Sequence, residues 1–296
     1  MAVVGTFKFI ASHPLSRGHM LRSMVRFLRW QLGSRLISGA VVHEWVNGSK
    51  FLVRKGETGL TGNVYCGLHE FSDMGFLLHF LRDSDLFVDV GANVGSYTIL
   101  ACAAVGAAGV AFEPIPGTYT RLVGNLRLNN LDDRVTPVNM GVGASAGSLL
   151  FTSDLDCVNH ALAAGEVQED ATRVEVTTLD AALADKAPIL IKIDVEGFET
   201  PVLEGATETL SSLSLKAVIM ELNGSGARYG YDEGRILRWM LDAGFETYTY
   251  DPIRRELNAL EGKNAESGNT LFIRDLEFVK HRLATAPAVS LQGRHF

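Results

Sequence analysis

From residue 86 to residue 274, short apolar runs alternate with segments of helical length, and no other feature restricts the possible folds as much. The runs are LFVDV, GVAFE, RVTPVN, ILIKID, AVIME, ETYTY and NTLFIR. Between them lie SYTILACAAV, TYTRLVGNLRL, a helical stretch after Thr200 and Pro201, and DEGRILRWMLDA. Strands buried on both faces read as continuous apolar runs, and their alternation with helices predicts a doubly wound α/β sheet of about seven strands. ETYTY and NTLFIR, separated by the polar loop at 252–268, are expected to pair antiparallel at the sheet edge.

Ahead of this core, residues 1–84 read as a helical and hairpin extension. Arginines in SRGHMLRSMVRFLRWQLGSRL interleave with Met20, Leu21, Met24, Val25, Phe27, Leu28, Trp30 and Leu32 at helical spacing, which predicts an amphipathic helix packed on the domain. A membrane or an acidic partner is the other reading of that helix. VVHEWV and KFLVRK flank Asn47-Gly48, a hairpin signal, and a connecting helix is expected over 71–81. The polar excursion at 141–180 interrupts the alternation, with LLFT and RVEVT as candidate short strands. The main domain is expected over 85–275, followed by a loosely held tail at 276–296.

Charge is uneven along the 296 residues. Residues 1–60 carry nine Lys and Arg against two acids, whereas the remainder carries eighteen against thirty-two. An acidic catalytic half argues against a nucleic-acid substrate, which needs a basic stripe. Cys66, Cys102 and Cys157 form no CxxC pair, so neither a disulfide framework nor a thiolate zinc site is expected and a cytoplasmic setting is the simplest. No secretory leader and no uncharged run long enough to span a bilayer is read.

Asp89-Val90-Gly91-Ala92-Asn93-Val94-Gly95 follows a predicted strand and opens a helix, with Ser96 as its next residue. Glycines there let the chain turn tightly and approach a ligand, although a purely structural turn would use them equally well. Glu113 ends the next strand, where a carboxylate can accept hydrogen bonds from two ribose hydroxyls. The spacing reads GxNxG, and Ser96 stands where a dinucleotide site would place its third glycine. The acidic Asp89 also suits a cationic cofactor better than a pyrophosphate. A second polar concentration, Lys192-Ile193-Asp194-Val195-Glu196-Gly197-Phe198-Glu199, ends the fourth strand, with Lys192 and Asp194 on one face. Such charges in an apolar strand are costly to bury unpaired, so they mark either a functional cleft or an ion pair of Lys192 with Asp194 or Glu221. Glu199, at a helix N-terminus, reads as structural.

The combination VDVGANVGSYT, FEP and IKIDVEGFE resembles the FkbM family of S-adenosylmethionine-dependent methyltransferases, and TGNVYCGLHEFSDM resembles the lead-in found in its members. The resemblance, over about residues 86–250, implies a class I methyltransferase (Rossmann-like) fold with its last strand antiparallel, S-adenosylmethionine as cofactor, and O-methylation. By position it implies cofactor contacts from Asp89, Gly91, Ala92, Asn93, Gly95, Ser96, Glu113, Pro114 and Asn139, with Ile115 by the adenine. Asn139 is equally readable as a strand-end cap. Tyr65, His69 and Glu70 would close over the methionine end of the cofactor, or serve only as helix cap and surface.

The expected chemistry is attack of a substrate hydroxyl on the sulfonium methyl, with alignment supplying much of the rate. A general base must take the hydroxyl proton, and the candidates rank Asp194, Glu196, then His69 or His160. Asp194, Glu196, Glu221 and Asn223 would rim the methyl group. Those carboxylates can also hold a hard cation, but no metal is expected, because no His or Asp pair reinforces them. The acceptor is expected to be a hydroxyl of a small molecule, sugar, polysaccharide or secondary metabolite, its pocket built from residues 36–84 and 141–180. The alternatives are an NAD-dependent oxidoreductase and a non-catalytic nucleotide-binding protein. No oligomeric state is read.

Overall fold

The computed structural model describes residues 2–296 except 18, 38, 153–158, 164 and 167, so Cys157 lies outside the described residues. The chain opens with α1 (Ala2–Ser12), α2 (Met20–Leu36), the hairpin β1 (Val41–Glu44) and β2 (Lys50–Val53), α3 (Thr58–Cys66) and α4 (Phe71–Phe80). The hairpin turns at Asn47, whose φ of 51° is left-handed, as the Asn-Gly signal requires. The core begins with β3 (Leu86–Val90), α5 (Ser96–Ile99) continuing as a wider π-helical turn to Val105, β4 (Ala108–Phe112), α6 (Pro116–Leu128) and β5 (Val135–Val138). Pro116 starts α6, where a missing N–H costs nothing. The excursion forms its own three-stranded sheet from β6 (Gly141–Val142), β7 (Gly147–Phe151) and β8 (Thr172–Thr177).

The alternation resumes with α7 (Leu179–Ala182), β9 (Leu190–Ile193), α8 (Glu199–Glu204), α9 (Thr207–Ser211), β10 (Ala217–Glu221) and α10 (Glu233–Asp242). It ends with β11 (Glu246–Asp251), β12 (Glu256–Ala259), β13 (Asn269–Ile273), α11 (Leu276–Ala284) and the small hairpin β14 (Ser290–Leu291) with β15 (Arg294–His295). The main sheet has the order β12-β11-β13-β10-β9-β3-β4-β5, with β13 antiparallel to both of its neighbours. This is the class I methyltransferase (Rossmann-like) order with an added edge strand. The sheet therefore holds eight strands instead of about seven, because β12 forms in the stretch read as a polar loop and pairs antiparallel with β11. The run NTLFIR does pair antiparallel with ETYTY, but it is inserted between β11 and β10 and does not stand at the edge.

Alternate residues of each strand feed two core layers. Phe87, Leu190, Ile219 and Leu271 face the layer made with α4, α11 and the N-terminal elements, while Val88, Ile191, Val218 and Phe272 face α8, α9 and α10. Asp89 and Lys192 are register partners on the first of these faces, so the sheet itself brings the two polar positions side by side.

Two expectations about the chain ends are corrected. The segment after residue 275 is not loosely held. Val279, Leu283, Val289, Leu291 and Phe296 are buried, Arg282 forms an ion pair with Asp85, and the Phe296 ring meets Phe71 edge-on at 5.2 Å. The local sequence does not show that a partner almost two hundred residues away neutralises Arg282. Helix α2 forms as expected but packs through Ser23, Phe27 and Ser34, with Met20, Met24 and Trp30 partly buried, while Leu21, Val25, Leu28 and Leu32 point outward.

Candidate active site

The glycine-rich turn connects β3 to α5 at the carboxyl end of the sheet. Its Gly91 has φ 82°, and a Cβ there would overlap the Asp194 carbonyl oxygen, so only glycine lets the two strand ends approach. Asn93 takes φ 50°, a conformation asparagine tolerates, and its side chain accepts from the Val94 N–H at 2.7 Å. Gly95, at φ 93°, caps α5, and a Cβ would sit 2.7 Å from Leu122.

Glu113, at the tip of β4, is 5% exposed. One of its oxygens accepts from the Asn93 N–H and the other from the Ile115 N–H, each at 2.9 Å, so the loop and the strand end share one carboxylate. Burial pushes the Glu113 carboxyl up to about 7, against the pull of those two N–H groups. Gly91, Asn93, Glu113, Pro114 and Ile115 line a slot walled on its far side by Phe151, Val195 and Phe198.

That slot runs into a second cleft of about 240 Å³, sharing Gly91, Asn93, Asp194 and Glu196 with it. The second cleft is lined by Glu57, Glu70, Asp89, Asp194, Glu196 and Glu221 against a single lysine, Lys192, and also by His69, Ala92 and Ser96. Lys192 is 1% exposed, and its Nζ donates to Asp194 Oδ2 at 2.8 Å and lies 5.0 Å from the Tyr97 ring centre. Burial alone would pull its ammonium down, but Asp194, Glu70 and Glu221 outweigh it and hold the group above the ordinary lysine value. The ion pair with Asp194 is thus one of the two predicted for Lys192.

Around this pair lies a network that sequence reasoning missed. Asn269 of β13 donates to Glu70 at 2.6 Å and to Asp73 at 3.2 Å, and Tyr97 donates to the other Glu70 oxygen at 2.8 Å. Asp73 is pushed up to about 7 by burial and by Glu70. Asp89 lines the cleft but is 2% exposed, accepts from Thr98 Oγ1 at 2.6 Å, and is raised to about 6 by burial.

The Asp194–Glu199 turn closes the far side. Glu196 has φ 53°, an uncommon conformation for a non-glycine that costs about 1–3 kcal/mol and concentrates at functional sites. Burial and the neighbouring Asp194 and Glu199 push its carboxyl up to about 7. Glu199 accepts from the Gly197 and Val195 N–H groups at 3.1 and 3.3 Å, the structural role expected of it. Asp194, Glu196 and Glu221 each bring a carboxylate oxygen within 4.8 Å of the others, and Glu221 Oε2 is buried without a hydrogen-bond partner. Burial, Asp194 and Glu196 raise the Glu221 carboxyl.

Four expected site residues lie elsewhere. Asn139 donates to the Glu113 and Pro114 carbonyls at 2.8 and 3.0 Å and braces the strand end without lining either cleft, which is its capping alternative. Asn223 is exposed and accepts from the Ser225 N–H at 2.9 Å, holding a turn beyond the acidic rim. His160 is buried beside the small sheet, 3.1 Å from Glu166, and Tyr65 lies under α2 with its hydroxyl accepting from Gln31 at 3.2 Å.

Comparison with known proteins agrees with this geometry. The Methyltransferase FkbM domain matches residues 89–247, more than half of the chain and the whole of both clefts' strand ends. The chain belongs to the FkbM methyltransferase family. Among its relatives, the hexuronic acid methyltransferase AglP of Haloferax volcanii is 31% identical over 152 residues, 50% of this chain and 59% of that protein. The methyltransferase sdnD of Sordaria araneosa is 28% identical over 192 residues, 53% of this chain and 74% of that protein. Among solved structures, P. horikoshii TYW2 in complex with MeSAdo is similar over 80% of this chain and 70% of that one, at 15% identity and a TM-score of 0.41. The FkbM match begins at Asp89, so the N-terminal helices and hairpin lie outside it.

Proposed function

We propose that this FkbM family member is an S-adenosylmethionine-dependent O-methyltransferase acting on a hydroxyl of a sugar or similar polyhydroxylated acceptor. The observation that carries the reading is the charge of the second cleft, where five carboxylates face one lysine and a sixth, Glu57, is paired with Arg121, joined to a slot that ends on Glu113. An excess of half-buried carboxylates attracts a cation and repels a pyrophosphate, which disfavours NAD. Glu113 and Asn93 fit a ribose and Ile115 and Phe198 an adenine, while Glu70, Asp89 and Asp194 fit a cationic methionine end. Bound there, S-adenosylmethionine supplies an electrophilic methyl group on a positively charged sulfur.

The acceptor's proton is taken by this chain's own carboxylates. A base works best with a pKa near the operating pH, and Glu196, held at about 7, meets that requirement. Asp194 is engaged with Lys192, so we place Glu196 ahead of it as base and give Asp194 the role of fixing Lys192. Glu70 orients the Tyr97 hydroxyl over the same cleft. A specific observation favours one variant: the spacing of Asp194, Glu196 and Glu221 suits a hard divalent cation, which would lower the pKa of the acceptor hydroxyl so that its proton passes to solvent instead of to Glu196.

The test is a methyl-transfer assay on a panel of uronic acids, neutral sugars and polyols, read by a mass gain of one methylene, with and without EDTA. Glu196→Gln is expected to lower turnover by about 10²–10⁴ while leaving S-adenosylhomocysteine affinity within a few-fold. Retained turnover in that variant would remove Glu196 from the role, and loss of activity in EDTA with recovery in Mg²⁺ would establish the metal variant.

A further inference from the structure

The outward face of α2 is apolar. Leu21, Val25, Leu28, Leu32 and Leu36 are 79%, 46%, 53%, 63% and 86% exposed. At 3.6 residues per turn they fall within about 80° of the helix circumference. Ser23, Phe27 and Ser34, the residues by which the helix packs on the protein, lie on the opposite side. A surface helix of a globular protein normally shows the reverse arrangement, because apolar area left in water forfeits the transfer energy that burial would return. Phe7 of α1 and Ile37 just beyond α2 add 49% and 52% exposed apolar side chains to the same N-terminal region.

The charge along this N-terminal segment is of one sign. Arg22, Arg29 and Arg35 flank the stripe on both sides and are exposed, as are Lys8 and Arg17, and no aspartate or glutamate occurs before Glu44. We propose that α2 is an interfacial element that lays this protein on an anionic lipid bilayer, its leucines entering the headgroup boundary and its arginines meeting lipid phosphates. An exposed leucine stripe bordered by long cationic side chains is the pattern of a helix that lies in a membrane plane. No helix among the described residues is long and apolar enough to cross a membrane, so the association is peripheral. A second copy of the chain is the weaker occupant, since a two-fold pairing of α2 with α2 would face arginine against arginine with no acid on the element to neutralise them.

The position of the helix gives the docking a consequence. Trp30, Gln31 and Ser34 of α2 line a cavity of about 520 Å³ that meets the acidic cleft at Glu57 and His69. A protein held by the outer face of α2 therefore keeps this cavity on the inner side of the helix, about one helix diameter, about 10 Å, from the lipid surface.

The experiment is co-sedimentation of the full chain with vesicles of phosphatidylcholine alone and of phosphatidylcholine with an equal part of phosphatidylglycerol, at low and high salt. Binding is expected to the anionic vesicles and to weaken with salt. The double variants Leu28→Gln with Leu32→Gln, and Arg22→Gln with Arg29→Gln, are each expected to bind about tenfold or more weakly. All four positions are exposed, and unchanged S-adenosylhomocysteine affinity by calorimetry verifies that the variants fold. No sedimentation, or equal sedimentation with both kinds of vesicle, overturns the proposal. So does a wild-type dimer in light scattering that the leucine variant dissociates, since the stripe would then be covered by a second copy. None of these outcomes depends on the methyl acceptor, so the docking can fail while the proposed reaction stands.

Discussion

Glu113→Gln isolates the contribution of one carboxylate to cofactor binding, because it changes charge and acceptor count with almost no change of shape. The wild-type carboxylate accepts one backbone N–H on each oxygen, from Asn93 and Ile115. A glutamine offers one oxygen and one NH₂, so one buried N–H must face another donor, at about 1–3 kcal/mol of stability. Binding loses separately: a hydrogen bond from a ribose hydroxyl to a charged acceptor contributes about 1.5–3 kcal/mol. Losing one such bond makes S-adenosylhomocysteine bind about 10- to 150-fold more weakly. The pH dependence follows from the carboxyl's shift from 4.5 to about 7. Between those values the folded chain holds a proton that the unfolded chain has lost, so this group's contribution to stability falls as pH rises through the window. A ribose needs the ionised form, so affinity instead climbs over about pH 6 to 8, and the variant should lose that part of the slope. Calorimetry across pH and urea unfolding of both proteins are the assays. A variant that binds S-adenosylhomocysteine with wild-type affinity and pH dependence would refute the assignment of Glu113 to the ribose.

Lys192→Met should destabilise the fold by about 1–3 kcal/mol at pH 8, since it takes the ammonium away from Glu70, Glu221 and Asp194, the last of which is 31% exposed and partly screened by water. The deficit should shrink at pH 5.5, where the surrounding carboxyls take up protons, and a pH-independent loss of urea midpoint would contradict the charge account. Arg282→Ala removes the partner of Asp85, whose side chain is only 8% exposed, and should cost about 3–5 kcal/mol in urea unfolding. A change under about 0.5 kcal/mol would mean that α11 contributes little to the fold.

Strand positions were legible because burial on both faces leaves an apolar run, unbroken in AGVAF and interrupted only by Lys192 in LIKI. The same logic explains the miss at β12: ELNA is mostly exposed at the sheet edge, has no apolar run, and its alternation covers only Leu257 and Ala259. Gly91, Asn93 and Glu113 were legible because a turn between a strand and a helix constrains neighbouring residues. Asn269 was not, since it meets Glu70 across 199 positions of chain and no local pattern encodes such a contact. The orientation of α2 was hidden for a different reason. Apolar residues occupy most of its circumference, so periodicity predicts a helix but does not choose which face is buried.

The acidic cleft and the buried lysine are best understood together. Glu57 is paired with Arg121, but the other five carboxylates around Lys192 would repel one another strongly if all were ionised, and the fold has two ways to relieve this. One is the fixed ammonium of Lys192, which Asp194 and Asn269 hold inside the sheet. The other is a raised affinity for protons, with burial pushing the Glu196 carboxyl up to about 7 and that of Asp89 up to about 6. A cationic ligand entering the cleft supplies positive charge from outside and so competes with those protons directly. Lys192 cannot be displaced in this way, because it is anchored on β9 and 1% exposed, so it sets how much negative charge remains for a ligand to neutralise. On this reasoning the lysine in the fourth strand sets the charge of the cleft, while Glu196, held at about 7 and half-buried, is placed to exchange its proton for a ligand.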